Sequence, residues 1–451
     1  MTDTLKEEEP KKLRRESMLL NVGPSHPAMH GIVRIITELD GELVTRADVE
    51  IGYLHRAFEK SSEQGGYLQV IPYTDRLNYV SPLINNEGYC MAVEKLFDLK
   101  ITERAQYIRM IMSELSRVTD HLTCVGASAM ELGAFTAFLY MIKAREFIYQ
   151  LIEEVTGARL TISYVRPGGV KGDLPDGFDE KCRQVIAETR KVIKETHLLL
   201  TKNRIFVDRM KDIGVISRED AVSYGITGPF LRSTGVDYDV RRAFPYSVYD
   251  RVDFEIPVGV HGDNYDRYLC RMDEMEQSMR IVEQALKQIP GGAVMLDTEG
   301  QEVPAEYMID EAKMGHISKV CGLSADNDPT LEGSNRDVYK RVEADNKRAM
   351  LPPKEETYSS IEGLMNHFKG VMFGHGIRPP KGEVYSAVEG ANGELGFYVV
   401  SDGTDRPFRV RVRPPCFTIM GALSMLLKGS TMADIIPTFG SVNMIGGELD
   451  R

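Results

Sequence analysis

Long segments with helical periodicity dominate the middle of the chain, and they restrict the fold more than any other feature of the sequence. From Asn86 onward, apolar residues recur at the spacing of amphipathic helices. The clearest predicted helices are 86–97, 103–120, 120–143, 145–156, 176–204 and 263–288. Helices of this length bury their apolar faces most readily against one another, so the sequence predicts a helical bundle.

Short strand patterns flank this bundle on both sides. Between residues 18 and 50, apolar runs are broken by polar residues in the manner of short antiparallel strands. A further predicted helix at 358–369 precedes a second strand-rich region, whose turns are Asn392-Gly393 and Asp402-Gly403. The predicted fold class is therefore α+β and mainly α, with a helical core and peripheral antiparallel strands from the N- and C-terminal regions.

The predicted organisation is a single domain at 18–451 that follows a charged tail at 1–17. We expect the tail to be disordered or to lie across a partner. The predicted parts of the domain are a β-rich part at 18–80, a helical core at 81–297, a polar insertion at 298–356, and a helix with a β meander and C-terminal loop at 357–451. We expect the insertion to contact a neighbouring protein of the assembly or solvent.

One apolar segment, Leu122 to Ile142, is long enough to cross a bilayer. Glu131 lies near its middle, and the rest of the chain contains no comparable run. A helix buried on all sides in a large protein core has the same pattern, and we favour that interpretation. A buried Glu131 then requires a partner for its carboxylate.

Charge and cysteine spacing exclude several classes of function. A net charge of −12 over 451 residues gives no basic surface for nucleic acid. The charged N-terminal stretch has no apolar core of a signal peptide, which indicates the cytoplasmic side. The six cysteines form no C-x-x-C pair, so we expect neither zinc nor a locally ligated iron–sulfur cluster. No glycine-rich phosphate-binding motif is present, which argues against direct nucleotide binding.

Two polar clusters are unusually rich in groups that donate protons or carry positive charge. The first is His26-Pro27-Ala28-Met29-His30-Gly31 and the second is Asp75-Arg76-Leu77-Asn78-Tyr79, with Tyr53-Leu54-His55-Arg56 between them. On a helix the spacing of His26 and His30 would permit a shared metal, but Pro27 and Gly31 favour a loop. Isolated histidines and tyrosines are more often structural than catalytic, so composition alone leaves both interpretations open.

Eight spaced stretches of the chain resemble the D subunit of the proton-pumping NADH:quinone oxidoreductase, respiratory complex I. In chain order they are LNVGPSHPAMHG, IGYLHRAFEK, YLQVIPYTDRLNYVSP, SYVRPGGV, ITGPFLRSTGVDYDVRR, PVGVHGDNYDRYLCRMDEMEQSMRI, VVSDGTDRPFRVRVRPPCF and GGELDR. Apart from the polar insertion, the resemblance runs from about residue 18 to residue 451.

The resemblance implies a fold like the nickel-iron hydrogenase large subunit and a place in the peripheral arm, on the cytoplasmic side of the cell membrane. The implied partners are the B subunit, which carries the terminal [4Fe-4S] cluster, the C and I subunits, and the membrane-embedded H subunit. Electrons from NADH pass through FMN and iron–sulfur clusters and reduce quinone, either menaquinone or ubiquinone, in a cavity shared with the B subunit. This reduction is coupled to proton translocation, and the chain is inactive alone.

The resemblance also assigns roles to individual residues. His30 and Tyr79 match the groups that bind the quinone headgroup, and His26 belongs to the same loop. Arg56 and Arg76 match arginines close to the partner's cluster. A quinone that takes two electrons must take two protons, so an imidazolium and a phenol are suitable donors. For the arginines, structural ion pairs with Glu50 or Glu59 are the alternative.

At four positions the chain departs from the family pattern. Thr161 replaces a titratable His, so we expect the cluster potential to be low and nearly independent of pH, which favours menaquinone. Glu131 replaces an Asp that relatives use as a partner of the site His, and it remains a possible proton relay. Asn443 and Gly446 replace an Asp and a bulky aromatic residue. No cysteine follows Cys416, so the hydrogenase metal site cannot be assembled in the usual way.

Two classes of function remain after this reasoning. The first is the quinone-site subunit of a respiratory complex. The second is a non-catalytic, hydrogenase-like scaffold in a related membrane-bound oxidoreductase, which has no chemical reason to keep both His30 and Tyr79. The sequence leaves open whether the upstream donor is NADH, reduced deazaflavin or ferredoxin.

Overall fold

The computed structural model describes residues 17–296, 354–359, 361–372 and 376–451. The predicted tail, except for its last residue, lies outside this range, as does nearly all of the predicted insertion at 298–356. The described part is mainly helical with small antiparallel sheets, as the sequence predicts. The division of the chain into domain parts remains a prediction.

The first sheet is a three-stranded antiparallel meander near the N-terminus. Its strands are β1 (Met18–Val22), β2 (Arg34–Asp40) and β3 (Leu43–Glu50), in the order β1-β2-β3. Buried and half-buried residues alternate along β2, which is the pattern of a strand with one face on the core. The loop between β1 and β2 contains the first polar cluster.

Helices form most of the remaining described chain up to residue 288. They are α1 (Phe58–Gln64), α2 (Ile71–Thr74), α3 (Pro82–Phe97), α4 (Glu103–Glu131), α5 (Phe135–Thr156), α6 (Phe178–Leu200), α7 (Arg204–Met210), α8 (Arg218–Ser223), α9 (Gly228–Arg232), α10 (Val240–Ala243) and α11 (Asn264–Gln288). A two-stranded ribbon, β4 (Val165–Arg166) and β5 (Gly169–Val170), lies between α5 and α6. The long central helix α4 packs against both α5 and α11.

The prediction of one buried helix over Leu122 to Ile142 is wrong. α4 continues past residue 120 to Glu131, Gly133 adopts a φ of 89°, and α5 begins at Phe135. A positive φ breaks a right-handed helix, and glycine adopts it without steric cost. The start of α5 is also exposed, since Phe135 and Leu139 are 56% and 50% accessible. No helix among the described residues combines the length and apolar character needed to cross a bilayer.

The second strand-rich region forms the predicted meander and leads into three further helices. After α12 (Lys354–Ser359) and α13 (Ile361–Val371) come β6 (Gly382–Gly390), β7 (Gly393–Ser401) and β8 (Arg409–Arg413). The chain then forms α14 (Pro415–Leu427), α15 (Ile435–Val442) and α16 (Gly446–Asp450). The first turn is formed by Ala391 and Asn392, one residue earlier than predicted, because Gly393 already pairs with Gly390 as the first residue of β7. The second lies at the predicted Asp402-Gly403, where Gly403 has a φ of 89°.

Residues from the two ends of the described chain contact each other. The Val44 N–H donates to the Ser430 carbonyl at 2.9 Å. The Asp450 carboxylate accepts the N–H groups of Gly52 and Leu54 at 2.9 and 2.7 Å. These contacts hold α16 beside the segment that follows β3, and they bring the polar clusters of the sequence to one end of the fold.

A buried network of charged side chains ties the helical core to β6. It contains Arg117, Arg232, Arg241, Glu114, Asp239, Glu274 and Glu389, and no member is more than 1% exposed. Arg241 is central, since its guanidinium lies 3.1 Å from Glu114, 2.7 Å from Asp239 and 3.0 Å from Glu274. Because each charge is desolvated, removal of one member leaves its partners uncompensated.

Candidate functional site

The loop between β1 and β2 presents His30 on a single turn of 3₁₀ helix, Pro27–Met29. The Nδ1 atom of His26 accepts the Ala28 N–H at 3.2 Å, so His26 caps this turn. His30 ends the turn with a φ of 54°. The predicted loop is confirmed, and the described residues contain no group of three side chains suited to a metal ion.

The side chain of His30 lies beside that of Glu131 at the end of α4. The distance between His30 Nε2 and Glu131 Oε1 is 3.3 Å, and the two side chains are 44% and 6% exposed. The second oxygen, Oε2, is buried without a hydrogen-bond partner among the described residues. A Cβ atom at Gly440 would lie 2.5 Å from this oxygen, so a side chain there would displace the carboxylate. The buried carboxylate predicted for Glu131 therefore has His30 as its partner.

A small cavity of about 40 Å³ lies beside this pair. It is lined by His30, Glu131, Ser128, Cys124, Ala127, Phe439, Gly440, Asn443 and Met444. The Ser128 hydroxyl donates to the Gly440 carbonyl at 2.8 Å and so ties α4 to α15. The exposed imidazole of His30 thus lies against the Glu131 carboxylate, which borders this small and partly polar cavity.

Tyr79 lies in the turn before α3, above a buried aspartate. Its side chain is 39% exposed, and burial raises its pKa, with Cys416 and Asp120 adding to the rise and Arg56 opposing it. Asp120 in α4 accepts hydrogen bonds from Asn78, Ser81 and Asn443 at 2.7 to 2.8 Å. The raised pKa favours the protonated form of the phenol, which lies near this hydrogen-bonded carboxyl group.

Asn443 connects the two halves of the site. It lines the cavity beside the His30–Glu131 pair, and its side-chain amide donates to Asp120 below Tyr79. Asn443 has a φ of 55°, which asparagine tolerates better than most residues. Its left-handed backbone ends α15 and turns the side chain toward both groups.

Arg56 and Arg76 form a cationic pair on the other side of Tyr79. Arg56 Nη2 donates to the Arg76 carbonyl at 2.5 Å, and Arg76 Nη1 donates to the Pro72 carbonyl at 2.5 Å. Burial and then the nearby Arg76 charge lower the pKa of Arg56. Both bonds go to backbone carbonyls, and the nearby charge of Asp450 opposes the fall in the pKa of Arg56.

The alternative is that Arg56 and Arg76 form structural ion pairs with Glu50 or Glu59, and the contacts of the described residues do not support it. Glu50 pairs with Arg34 at 3.2 Å. Glu59 lies 3.8 Å from Arg451 and 3.9 Å from Arg411. The acidic groups whose charges interact with Arg56 and Arg76 are instead Asp450 and Asp75.

Sequence reasoning missed Asp120, Cys416 and Glu448 as members of the site. Glu448 is 2% exposed, and its Oε1 atom accepts the Cys416 N–H at 3.0 Å. Asp120 and Cys416 lie within helical patterns that give no sign of a polar neighbour. The one available signal was the glycine pair before Glu448, which indicates close backbone packing.

The fold and the site define a class of protein: a mainly helical α+β subunit that presents an imidazole, a phenol and two arginines at one end. The family described as respiratory-chain NADH dehydrogenase, 49 Kd subunit, matches residues 131–451. The first of the D subunits of NADH-quinone oxidoreductase from Sorangium cellulosum is 49% identical, with 97% of this chain and 96% of the relative covered. The D subunit from Myxococcus xanthus is 47% identical over the full length of both chains.

The chain therefore belongs to the 49 kDa, or D, subunit family and is part of an NADH:quinone oxidoreductase. Other subunits of that complex are its partners. A relative from Bdellovibrio bacteriovorus, named as the C/D subunit of NADH-quinone oxidoreductase, is 46% identical, with 96% of this chain and 68% of the relative covered.

Proposed function

We propose that this chain supplies the quinone headgroup site of its complex, with His30 and Tyr79 as the donors to the two quinone oxygens. The observation that carries the proposal is the His30–Glu131 pair, an exposed imidazole held by a buried carboxylate at 3.3 Å. An imidazolium in this position both donates a hydrogen bond to a carbonyl oxygen and releases a proton.

The reaction needs two electrons and two protons for each quinone. The electrons come from an iron–sulfur cluster of the partner subunit, and Arg56 and Arg76 are the cations that lie nearest to it in this proposal. One proton leaves the Tyr79 hydroxyl for one quinone oxygen, and the second leaves the His30 imidazolium for the other. Glu131 then lies beside the imidazole of His30 when that ring takes up a new proton. His26 stabilises the loop through its hydrogen bond from the Ala28 N–H.

The proposed setting is the peripheral arm on the cytoplasmic side of the cell membrane. The upstream path runs from NADH through FMN and iron–sulfur clusters, and the neighbours are the B, C, I and H subunits. The relative named C/D supports contact with a C subunit.

Membranes that contain the assembled complex provide the direct test. We expect NADH-driven quinone reduction to disappear when this chain is deleted and to return when it is restored. Oxidation of NADH by an artificial acceptor that takes electrons before the quinone is the control for the upstream subunits. Quinone reduction that persists without the chain would show that the site lies elsewhere.

The acceptor in this proposal is a low-potential quinone of the menaquinone type. Thr161, where relatives carry a titratable His, is exposed and has a φ of 49°. A hydroxyl of this kind does not titrate near neutral pH, so the cluster loses one route for coupling its reduction to a proton. A redox titration of the terminal cluster should give a potential that barely changes with pH, and Thr161→His should introduce a slope. A strong slope in the unaltered complex contradicts the proposal.

A further inference from the structure

Arg271 in α11 is a buried cation with few hydrogen-bond partners. The residue is 2% exposed, its Nη2 atom donates to the Val442 carbonyl at 3.4 Å, and its Nε atom has no partner among the described residues. No carboxylate in the described part of the chain forms an ion pair with it. An arginine keeps its charge when buried, so this guanidinium needs acceptors in place of the water it has lost.

Arg267, one turn earlier in α11, shows how the fold satisfies another buried arginine. Its guanidinium donates to the carbonyls of Gly214 and Gly262 at 2.6 and 2.9 Å, and to two side-chain oxygens at 2.8 and 3.1 Å. Arg271 has only its one long bond to a carbonyl. Its remaining donors therefore require acceptors that the described residues do not supply.

A second cavity, of about 10 Å³, lies beside Arg271. Its polar lining consists of Arg271 and Asn264 from α11, Ser441 from α15, and Cys124 and Ser128 from α4. Cys124 and Ser128 also line the cavity of about 40 Å³ beside Glu131. The two cavities thus share a wall of α4, with Arg271 at one cavity and Glu131 at the other.

Glu131 has the complementary requirement. Its buried Oε2 atom accepts no hydrogen bond from any described residue, while Oε1 lies 3.3 Å from His30 Nε2. A cavity holds a water molecule if it offers about 10–15 Å³ and two to four polar partners. The larger cavity exceeds this volume, the smaller one just reaches it, and both are lined by polar groups. Ordered water therefore fits in both.

We propose that ordered water in these two cavities links the Arg271 guanidinium to the Glu131 carboxyl group, and that Arg271 is thereby a positioning residue for the His30–Glu131 pair. The guanidinium donates to water in one cavity, and water in the other donates to Glu131 Oε2. The Ser128 hydroxyl borders both cavities and donates to the Gly440 carbonyl, so its oxygen is free to accept from water on each side.

The consequence is a fixed orientation of the carboxyl group that faces His30. Water that holds Oε2 leaves Oε1 directed at the imidazole, and no proton leaves Arg271 at any point. The effect on quinone reduction rests on the proposed function of His30, whereas the occupancy of the cavities does not.

The first test is an experimental structure of the assembled complex at a resolution that shows ordered water. We expect at least one water in each cavity, with one water within hydrogen-bond distance of Glu131 Oε2 and another within that distance of the Arg271 guanidinium. Dry cavities, or an Arg271 guanidinium turned onto a carboxylate elsewhere, would overturn the proposal. Neither result depends on whether this chain reduces quinone.

The second test is a double-mutant cycle on the rate of quinone reduction per assembled complex. Arg271→Met keeps the length of the side chain but loses its donors, and it should lower the rate about tenfold. Arg271→Lys keeps a charged donor and should recover most of the rate. In a Glu131→Leu background, Arg271→Met should change the rate by less than about twofold, because the group that it positions is gone. Equal losses in both backgrounds would contradict the link.

Cys124→Leu tests the water without altering either charged group. The added carbon atoms fill the shared wall and exclude water, so the loss should match that of Arg271→Met and should not grow when the two changes are combined. Cys182→Leu is the matched control for overpacking, since Cys182 is buried in α6 and lines neither cavity. Its rate should stay within about twofold of the unaltered chain.

The outcomes separate the two proposals. Equal losses for Cys124→Leu and Cys182→Leu would mean that overpacking, and not exclusion of water, lowers the rate, which counts against the water link. If Glu131→Leu leaves quinone reduction unchanged, the proposed role of the His30–Glu131 pair fails and the positioning role of Arg271 fails with it. Water seen in both cavities would then support the link between the two groups alone.

Discussion

Replacing Tyr79 with Phe is expected to lower the rate of quinone reduction by about 10²- to 10⁴-fold while the complex still assembles. The change removes the phenol proton and the hydrogen bond to one quinone oxygen, and a positioned acid contributes about this factor to a proton-transfer step. The ring is retained, and Tyr79 is 39% exposed with its packing mostly on the ring, so stability should change little. The measurement is NADH-driven quinone reduction in membranes.

Tyr73→Phe is the matched control for this experiment. Tyr73 lies in α2 of the same segment and is 42% exposed, so the variant loses a comparable hydroxyl outside the proposed site. It should retain nearly full activity. A Tyr79→Phe variant as active as Tyr73→Phe would contradict the role of the phenol, and the imidazole of His30 would then have to serve both quinone oxygens.

Replacing Arg241 with Met is expected to cost about 3–5 kcal/mol of unfolding free energy, because the change breaks a desolvated ion network. Arg241 contacts Glu114, Asp239 and Glu274, and no side chain of the four is more than 1% exposed. Met has a similar shape and supplies no donor, so three carboxylates lose a cation without gaining water. The measurement is the urea concentration at which this chain unfolds in the assembled complex, followed by limited proteolysis.

Arg159→Met controls for the loss of an arginine as such. Arg159 pairs with Glu146 and Glu153 on the surface, where water and salt screen the charges. Its unfolding midpoint should match that of the unaltered chain. Equal midpoints for Arg241→Met and Arg159→Met would mean that solvent reaches the network and replaces the lost charge.

The fold class and most element positions could be predicted, because periodicity reports which face of an element is buried. β1, α11 and the meander β6-β7-β8 lie close to their predicted ranges. The break between α4 and α5 was missed, since apolar and small residues continue through it. The positive φ of Gly133 and the non-helical ψ of 62° at Ala134 interrupt the helix there, and a glycine within a helical pattern does not by itself reveal its backbone conformation.

The candidate site was predictable only in part. Motif resemblance pointed to His30, Tyr79 and Glu131, and the structure places the first and the last 3.3 Å apart. The polar groups beneath Tyr79 come from α4, α14 and α16, which are far apart in the chain. Local pattern gives no information on such contacts, so Asp120 and Glu448 could be found only once the helices were packed.

The contact between Gly52 and Asp450 joins residues 398 positions apart, and the Asp120 contact with Asn443 spans 323. Closing loops of this size is entropically costly and slow, so helix pairs such as α4 and α5 form long before these contacts do. The part of the molecule that these contacts hold together is therefore expected to be among the last regions to form during folding. Any surface that depends on these contacts is expected to become available for assembly only after the two ends of the chain have met.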